Sequence, residues 1–464
     1  MTEDVFRLPP VDALAVSASP GEWLIAGLRA GEVWDLGWHW PDRPMLVGAI
    51  HAVRVVRLAP QARGAFVAID DRGGEGFLDL SRHRGSMPHE GQRLLAQVTR
   101  LPVAGKRLTL SPAARLAGRY LVYTPGRAGV SASRDLAKGA AARLQGVVKR
   151  ALRPGEGVIV RAAAAHLTDH PDPLLAELER HRAAWQTLSR EAGLGLVHRP
   201  PAGVDAALID RVGSGPLRIV VGSARARAAA RAAAETWAPS EPIRVDLEAA
   251  DAFTALGGAY ALEQALQPSV PLASGGTLWL QRTRACWAID VDSGSAQGDA
   301  AAIRQQTNRE AAIELARQVQ LRQIAGLFVV DFLRVRDGKA EAAVLRDLQA
   351  GFAEDRAPLH FNPRFDPLGF YGFSRAHIAP ALSSRLADGG IGAAILAGLR
   401  AMVHSSLAEP HRRLALHLHP ATLVALADWP LALAEAEAVL GQKPRLEPDP
   451  DVRQVDFAVR TVAE

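Results

Sequence analysis

The eight residues Gly326–Leu333, GLFVVDFL, are apolar on both alternating faces except at Asp331. A strand of that composition reads as central in a sheet. Helical text lies on both sides of it, at about Asp299–Leu321 and 339–355. A strand between two helices makes this part of the chain α/β. It also leaves one charge to account for, because an aspartate at the end of an apolar strand is costly unless an ionic partner stabilises it.

A second strand ends in two more. TLWLQRTRACWAIDVDSG (277–294) reads as two strands joined at Gln281-Arg282-Thr283-Arg284. In the second of them Cys286, Ala288, Asp290 and Asp292 share one face, and Trp287, Ile289 and Val291 share the other. Three aspartates on neighbouring strand ends repel one another, and a divalent ion resolves that repulsion. Oxygen ligands with water left over are what Mg2+ prefers. An ion so placed orients water and stabilises charge on a phosphoryl group. Singly, such aspartates are as readily helix caps or members of surface ion pairs.

The chain of 464 residues has a net charge of +5, but Pro44–Tyr120 alone holds twelve basic residues against five acidic ones, a local +7. A local positive excess attracts a polyanion, most commonly nucleic acid; a basic but idle surface is the alternative. The same stretch, from Met45 to Leu110, is written as five short strands between Gly and Pro turns, which suits a small Greek-key barrel of the OB type. Alternation puts Val67, Ile69, Leu78 and Leu80 inside, and Phe66 and Phe77 outside beside Asp70 and Asp79. Two rings on the polar face of a basic barrel make a stacking platform for unpaired bases, unless a neighbouring domain covers them.

Elsewhere, an apolar hairpin at 22–38 turns at Arg29-Ala30-Gly31, helices are expected at 134–151 and 173–192, and a strand at 157–163. A strand–helix–strand run follows at 217–221, 223–236 and 243–247. The hairpin and this run are each too small to bury a core alone, which suggests one domain interrupted by the barrel. Residues 391–464 read as a helix, a strand at Leu414–Leu418 and a helix after Pro420; His417 and His419 read as a solvated strand face. NPRFDPLGFYGFSR (362–375) interleaves Phe365, Phe370, Tyr371 and Phe373 with Arg364 and Arg375, either to hold a base or to pack the sheet edge. The single cysteine, Cys286, excludes an internal disulfide and a multi-cysteine zinc site within one chain. No run of about 18 uncharged apolar residues is present, and the N-terminal MTEDVFRLPP lacks an apolar core. A soluble, cytoplasmic, multidomain protein is expected.

The stretch AIDVDSGSAQGDAAAIRQQTNREAAIELARQVQLRQIAGLFVVDF (288–332) resembles the catalytic core of the ribonuclease E/G family of endoribonucleases. The similarity lies in the strand-borne AID, the N-x-E-A-A helix at Asn308 and Glu310, the L-R-x-x-x-G-L turn and the V-D-F strand; SGGTLWL (274–280), GAFVAID, GFLDL and IVRAA (159–163) also fit. The resemblance implies an α/β multidomain chain. An RNase H-like subdomain (1–43 and 215–263) would be interrupted by an OB-fold RNA-binding domain (44–117) and a 5′-sensor region (118–214). A DNase I-like catalytic subdomain (264–388) and a small C-terminal α/β domain (389–464) would follow. It implies Mg2+, with Mn2+ as an alternative, on the catalytic aspartates Asp290 and Asp331. Asp292 stands where the family usually has asparagine and adds an anionic group. It further implies RNA contacts at Phe66, Phe77, Lys106 and Arg161, to which the interleaved stretch adds Arg364, and hydrolysis of single-stranded RNA to 5′-phosphate and 3′-hydroxyl ends.

Three departures qualify that picture. Leu386-Ala387-Asp388-Gly389-Gly390 has no cysteine where zinc-linked relatives carry a pair, so no structural zinc is expected, and the chain is a monomer or a zinc-independent dimer. Arg161 matches the arginine of the 5′-monophosphate pocket, but its neighbour is Ala162 instead of threonine, and a further arginine aligns with Pro358. A plain salt bridge is the alternative role for Arg161. Lys106 lies in a loop of shifted register. The rival to an endoribonuclease is a non-catalytic RNA-binding protein on the same scaffold; a nuclease acting equally on single-stranded DNA is a third reading.

Overall fold

The structure, a computed structural model, describes residues 11–44, 47–81, 83, 85–100, 107–190, 193–210, 215–248, 251–295, 299–335, 337–353, 355, 357–377, 381–386 and 389–462. Lys106 and residues 387–388 of the zinc-link stretch lie outside them. The chain forms two compact units: Met1–Arg43 with Leu217–Arg227 and Val245–Glu464, and Pro44–Pro216 with Ala228–Arg244.

In the first unit, Ala13–Ser19, Glu22–Arg29 and Glu32–His39 form an antiparallel meander. Its second turn, expected at Arg29-Ala30-Gly31, places Ala30 at φ 49° and Gly31 at φ 83°, the left-handed pair that a two-residue hairpin loop requires. Leu217–Val221 runs parallel to Ala13–Ser19 in the same sheet, so the hairpin and the later strand pair across the intervening sequence.

A second sheet of this unit has the spatial order Ser269–Pro271, Thr277–Arg282, Trp287–Asp292, Gly326–Asp331, Phe370–Arg375, Leu359–Phe361. Gly326–Asp331 is central, as its composition predicts. One face carries Leu278, Leu280, Ile289, Val291, Phe328, Val330, Tyr371 and Phe373 into a core shared with helices Ala300–Leu321 and Gly338–Gly351. The other face is open, with Leu327 49% exposed. Apolar text on both faces therefore does not mean cover on both sides here.

Phe370–Arg375 is a strand that the aromatic-and-arginine reading of 362–375 does not anticipate. Tyr371 and Phe373 are buried, and Phe373 stacks on Phe328 with centroids 4.6 Å apart. Packing accounts for those rings. Arg375 is buried against Asp355 at 2.6 Å, whereas Arg364 is exposed.

In the C-terminal part, Leu414–Leu418 lies between Leu446–Pro448 and Ala458–Thr461. Ile391–Ala408 is long and apolar enough by length and composition to cross a membrane, but its Ile395, Leu396, Leu399 and Met402 pack in a core with Trp429. His417 does not face water as expected: its ring lies 3.7 Å from Glu447 and 4.0 Å from Asp449. The His419 ring caps helix Pro420–Ala425, accepting from the Ala421 N–H at 3.1 Å.

The second unit contains the expected barrel. Strands Ile50–Ala59, Gly64–Ala68, Glu75–Asp79, Leu108–Ser111 and Arg93–Arg100 follow one another, and the first pairs again with the last to close it. Val53, Val55, Ala65, Val67, Leu78, Val98 and Leu110 fill the interior. A four-stranded sheet follows, packed with helices Lys138–Ala151 and Asp172–Leu188. The strand expected over 157–163 ends at Val160, and Ala162–Leu167 is a 3-10 turn.

Buried polar groups tie this region together. Glu177 accepts from the backbone N–H groups of Arg119, Tyr120 and Leu121 at 3.1, 3.0 and 2.9 Å. His181, buried beside them with Nε2 unpartnered, has its pKa lowered to about 4, first by burial and then by the charge of Arg180. An unfolded histidine binds its proton near pH 6.5, so the stability that neutral His181 contributes is complete above that value and is lost as pH falls through 6.5 towards 4. At pH 5 the loss is about 2 kcal/mol. Urea midpoints at pH 7.5 and 5.0 check this: His181→Leu is expected to flatten the difference, and an equal acid loss in the variant would refute it.

Candidate active site

The parallel strands Trp287–Asp292 and Gly326–Asp331 are joined by helix Ala300–Leu321, whose N-terminus is capped by the Asp299 carboxylate on the N–H groups of Ala301 and Ala302. Their register sets Ile289 beside Val330 and Asp290 beside Asp331. Paired residues of neighbouring strands point to the same side. Because Ile289 and Val330 enter the core, both aspartates project from the open face. Neighbouring strands lie about 4.8 Å apart, so two anionic groups stand side by side at the C-terminal ends of adjacent parallel strands, where open α/β sheets bind their ligands.

Burial, then the charge of Asp331, then that of Asp292, hold Asp290 above the ordinary carboxylate range. Among the described residues no Lys, Arg or His forms an ion pair with any of the three. Asp292 lies farther along the same face, where its Oδ1 accepts from the Gly294 N–H at 3.0 Å. Among the described residues, no group of three or more His, Cys, Asp or Glu side chains is placed to hold a metal ion. The compact feature is therefore the Asp290–Asp331 pair, two oxygen donors with no protein cation between them.

Two backbone devices fix the pair. Buried Asn308 donates from Nδ2 to the Leu333 carbonyl at 2.7 Å and accepts from the Leu333 N–H at 2.9 Å, pinning the chain just beyond Asp331. At Gly276 a Cβ would sit 2.5 Å from the Asp292 carbonyl, so only glycine lets the two strands close there. Across the sheet, register continues the row on both sides: Trp279 pairs with Asp290, and Phe370 with Asp331. Asn308 is legible in sequence only as part of a motif; its role and that of Trp279 depend on a register that no local pattern states.

In the second unit, Phe66 and Phe77 pair across neighbouring strands and meet edge to face, with centroids 5.7 Å apart. A Cβ on Gly64 would lie 2.3 Å from the Phe77 ring, so the ring rests on bare backbone. The guanidinium groups of Arg57 and Arg107 lie over Phe66, at 4.8 and 5.2 Å from its centroid. Arg161 is engaged within the fold: Nη1 donates to the Gly118 carbonyl at 2.7 Å and Nη2 to Asp210 at 2.8 Å. Asp210, 49 residues away, was invisible as its partner in sequence.

Residues 115–377, which carry the acidic row of the second sheet, match the ribonuclease E/G family. The chain belongs to that family. It is 29% identical over 335 residues to ribonuclease E of Synechocystis, covering 67% of this chain and 49% of that protein. Ribonuclease E of Escherichia coli K12 is 27% identical over 399 residues, covering 80% of this chain and 37% of its own. Ribonuclease G of Salmonella typhimurium is 25% identical over 499 residues, covering 96% and 99%. The chain thus spans about half the length of the cyanobacterial ribonuclease E relatives.

Proposed function

We propose that this protein is a divalent-metal-dependent endoribonuclease of the cytoplasm that hydrolyses single-stranded RNA to 5′-phosphate and 3′-hydroxyl ends. The observation that carries the proposal is the register of Asp290 beside Asp331, on an open sheet face with no cation of the described residues paired to either. Two such carboxylates fit Mg2+, which is commonly held by one or two carboxylates with substrate phosphate and water completing its shell. Bound there, Mg2+ would supply charge neutralisation at the scissile phosphate. The chain's own residues do the rest: Asn308 holds the end of the Asp331 strand, and Asp292 adds negative potential along the same face.

RNA capture falls to the basic barrel, with Phe66 and Phe77 as stacking surfaces and Arg57 and Arg107 as cations beside them. Lys106 and exposed Arg364 are proposed as further phosphate contacts. The two-part sheet built from the 22–39 hairpin and 217–221 is read as the RNase H-like subdomain, and 264–388 as the DNase I-like catalytic subdomain. The names of the relatives, ribonuclease E and ribonuclease G, support the endoribonuclease part of the proposal.

The test is incubation of an internally labelled single-stranded RNA with the protein in Mg2+ or in EDTA. Cleavage in Mg2+ alone, yielding products that polynucleotide kinase labels only after phosphatase treatment, supports the proposal. Binding without cleavage would contradict it. Because Arg161 already answers its charge on Asp210 and Gly118, 5′-monophosphate and 5′-hydroxyl forms of one substrate are expected to be cut at rates within about threefold of each other, a small difference in barrier. A preference of tenfold or more for the monophosphate would show that the Arg161–Asp210 pair opens for substrate.

A further inference from the structure

We infer that Trp279 stacks on a nucleobase next to the scissile phosphate and so holds the strand in place there, whatever the base; this rests on the nuclease reading of the Asp290–Asp331 pair. Trp279 belongs to the strand Thr277–Arg282 and pairs in register with Asp290. Directly opposed residues on one face of an antiparallel pair have Cβ atoms about 5 Å apart. The indole therefore borders the carboxylates at about the distance that separates a nucleotide's base from its phosphate.

Its environment points the same way. Trp287, eight residues later, faces the core and stacks on Phe328 with centroids 6.5 Å apart. Trp279 faces outward, is 38% exposed, and makes no ring-to-ring or cation–π contact among the described residues. A large apolar ring left on the open face of a sheet, in the row of two carboxylates, offers a ligand one thing the acidic groups cannot: attraction that does not depend on charge. An RNA strand is repelled by Asp290 and Asp331 until a cation intervenes, whereas the flat face of an indole attracts any base. Phe370, half-buried beside Asp331 at the other end of the row, closes the opposite flank.

The experiment is a substitution cycle on both partners. Single-turnover cleavage is measured for the native chain, Trp279→Ala and Trp279→Phe on an RNA with one cut site, and on matched RNAs carrying an abasic residue on either side of the cut. Trp279→Ala is expected to slow cleavage of the intact RNA about tenfold, the worth of one stacked base. It should have no further effect on the RNA lacking the stacked base, and Trp279→Phe should recover most of the loss. Equal loss on intact and abasic RNAs, or no loss on either, overturns the stack. Asp290→Asn is run alongside. If it abolishes cleavage while the rate ignores Trp279, only the stacking inference fails; if the native chain cuts no RNA, the nuclease reading fails and takes this inference with it. Circular dichroism of both tryptophan variants excludes misfolding, and the phenylalanine rescue separates a ring-specific role from a packing one.

Discussion

Asparagine at position 290 or 331 is expected to lower the rate of RNA cleavage by about a thousandfold or more, the several kcal/mol that a metal supplies to a developing phosphoryl charge. Asparagine keeps the shape of aspartate and removes its charge, so the loss reports electrostatics and not packing. At position 290 the change is expected to leave the metal-free fold as stable or more stable. Asp290 is held above its ordinary pKa by burial and by two neighbouring carboxylates, so its charged form works against folding at neutral pH. Thermal unfolding in EDTA should therefore show Asp290→Asn with a midpoint at or above that of the native chain. A variant that is both inactive and strongly destabilised would mean that the aspartate holds the fold instead of a cation.

The largest effect on stability is expected in the second unit, at the ion pair of Arg119 with Glu241. Both side chains are buried, 0% and 2% exposed, and Glu241 also accepts from the Tyr120 hydroxyl at 3.1 Å while Arg119 donates to the Leu208 carbonyl. Glu241→Leu removes the buried carboxylate that faces the Arg119 guanidinium, and breaking a buried pair from one side costs about 3–5 kcal/mol. Arg119→Met with Glu241→Leu removes both charges and is expected to recover most of that loss, because a buried pair and an apolar pair of similar volume are close in free energy. Urea unfolding followed by circular dichroism checks both variants. A single variant within about 1 kcal/mol of the native chain would contradict the burial of the pair.

The sequence made some of this architecture readable and hid the rest for identifiable reasons. Alternation along AFVAID and GFLDL sorts barrel interior from exterior because each strand has one wet face, and Phe66 and Phe77 do pair on the outer side. Leu217–Val221 and Ile243–Leu247 have the bounds their apolar runs indicate. Where both faces of a strand are apolar, periodicity carries no direction, so the exposed Leu327 and Val329 side of Gly326–Asp331 could not be told from the core side. Phe370–Arg375 was obscured because its aromatic residues suit a strand and a ligand loop equally. Strand register between distant segments is set by tertiary packing, and it alone joins Trp279, Asp290, Asp331 and Phe370 in one row. The Arg161–Asp210 pair is likewise a product of chain path and not of local text.

Crystals of the protein soaked in Mn2+ and recorded near the manganese absorption edge test the central claim most directly. An anomalous peak between the carboxylates of Asp290 and Asp331, lost in Asp331→Asn, is the predicted result. An active enzyme whose only manganese peak lies away from both side chains would contradict it.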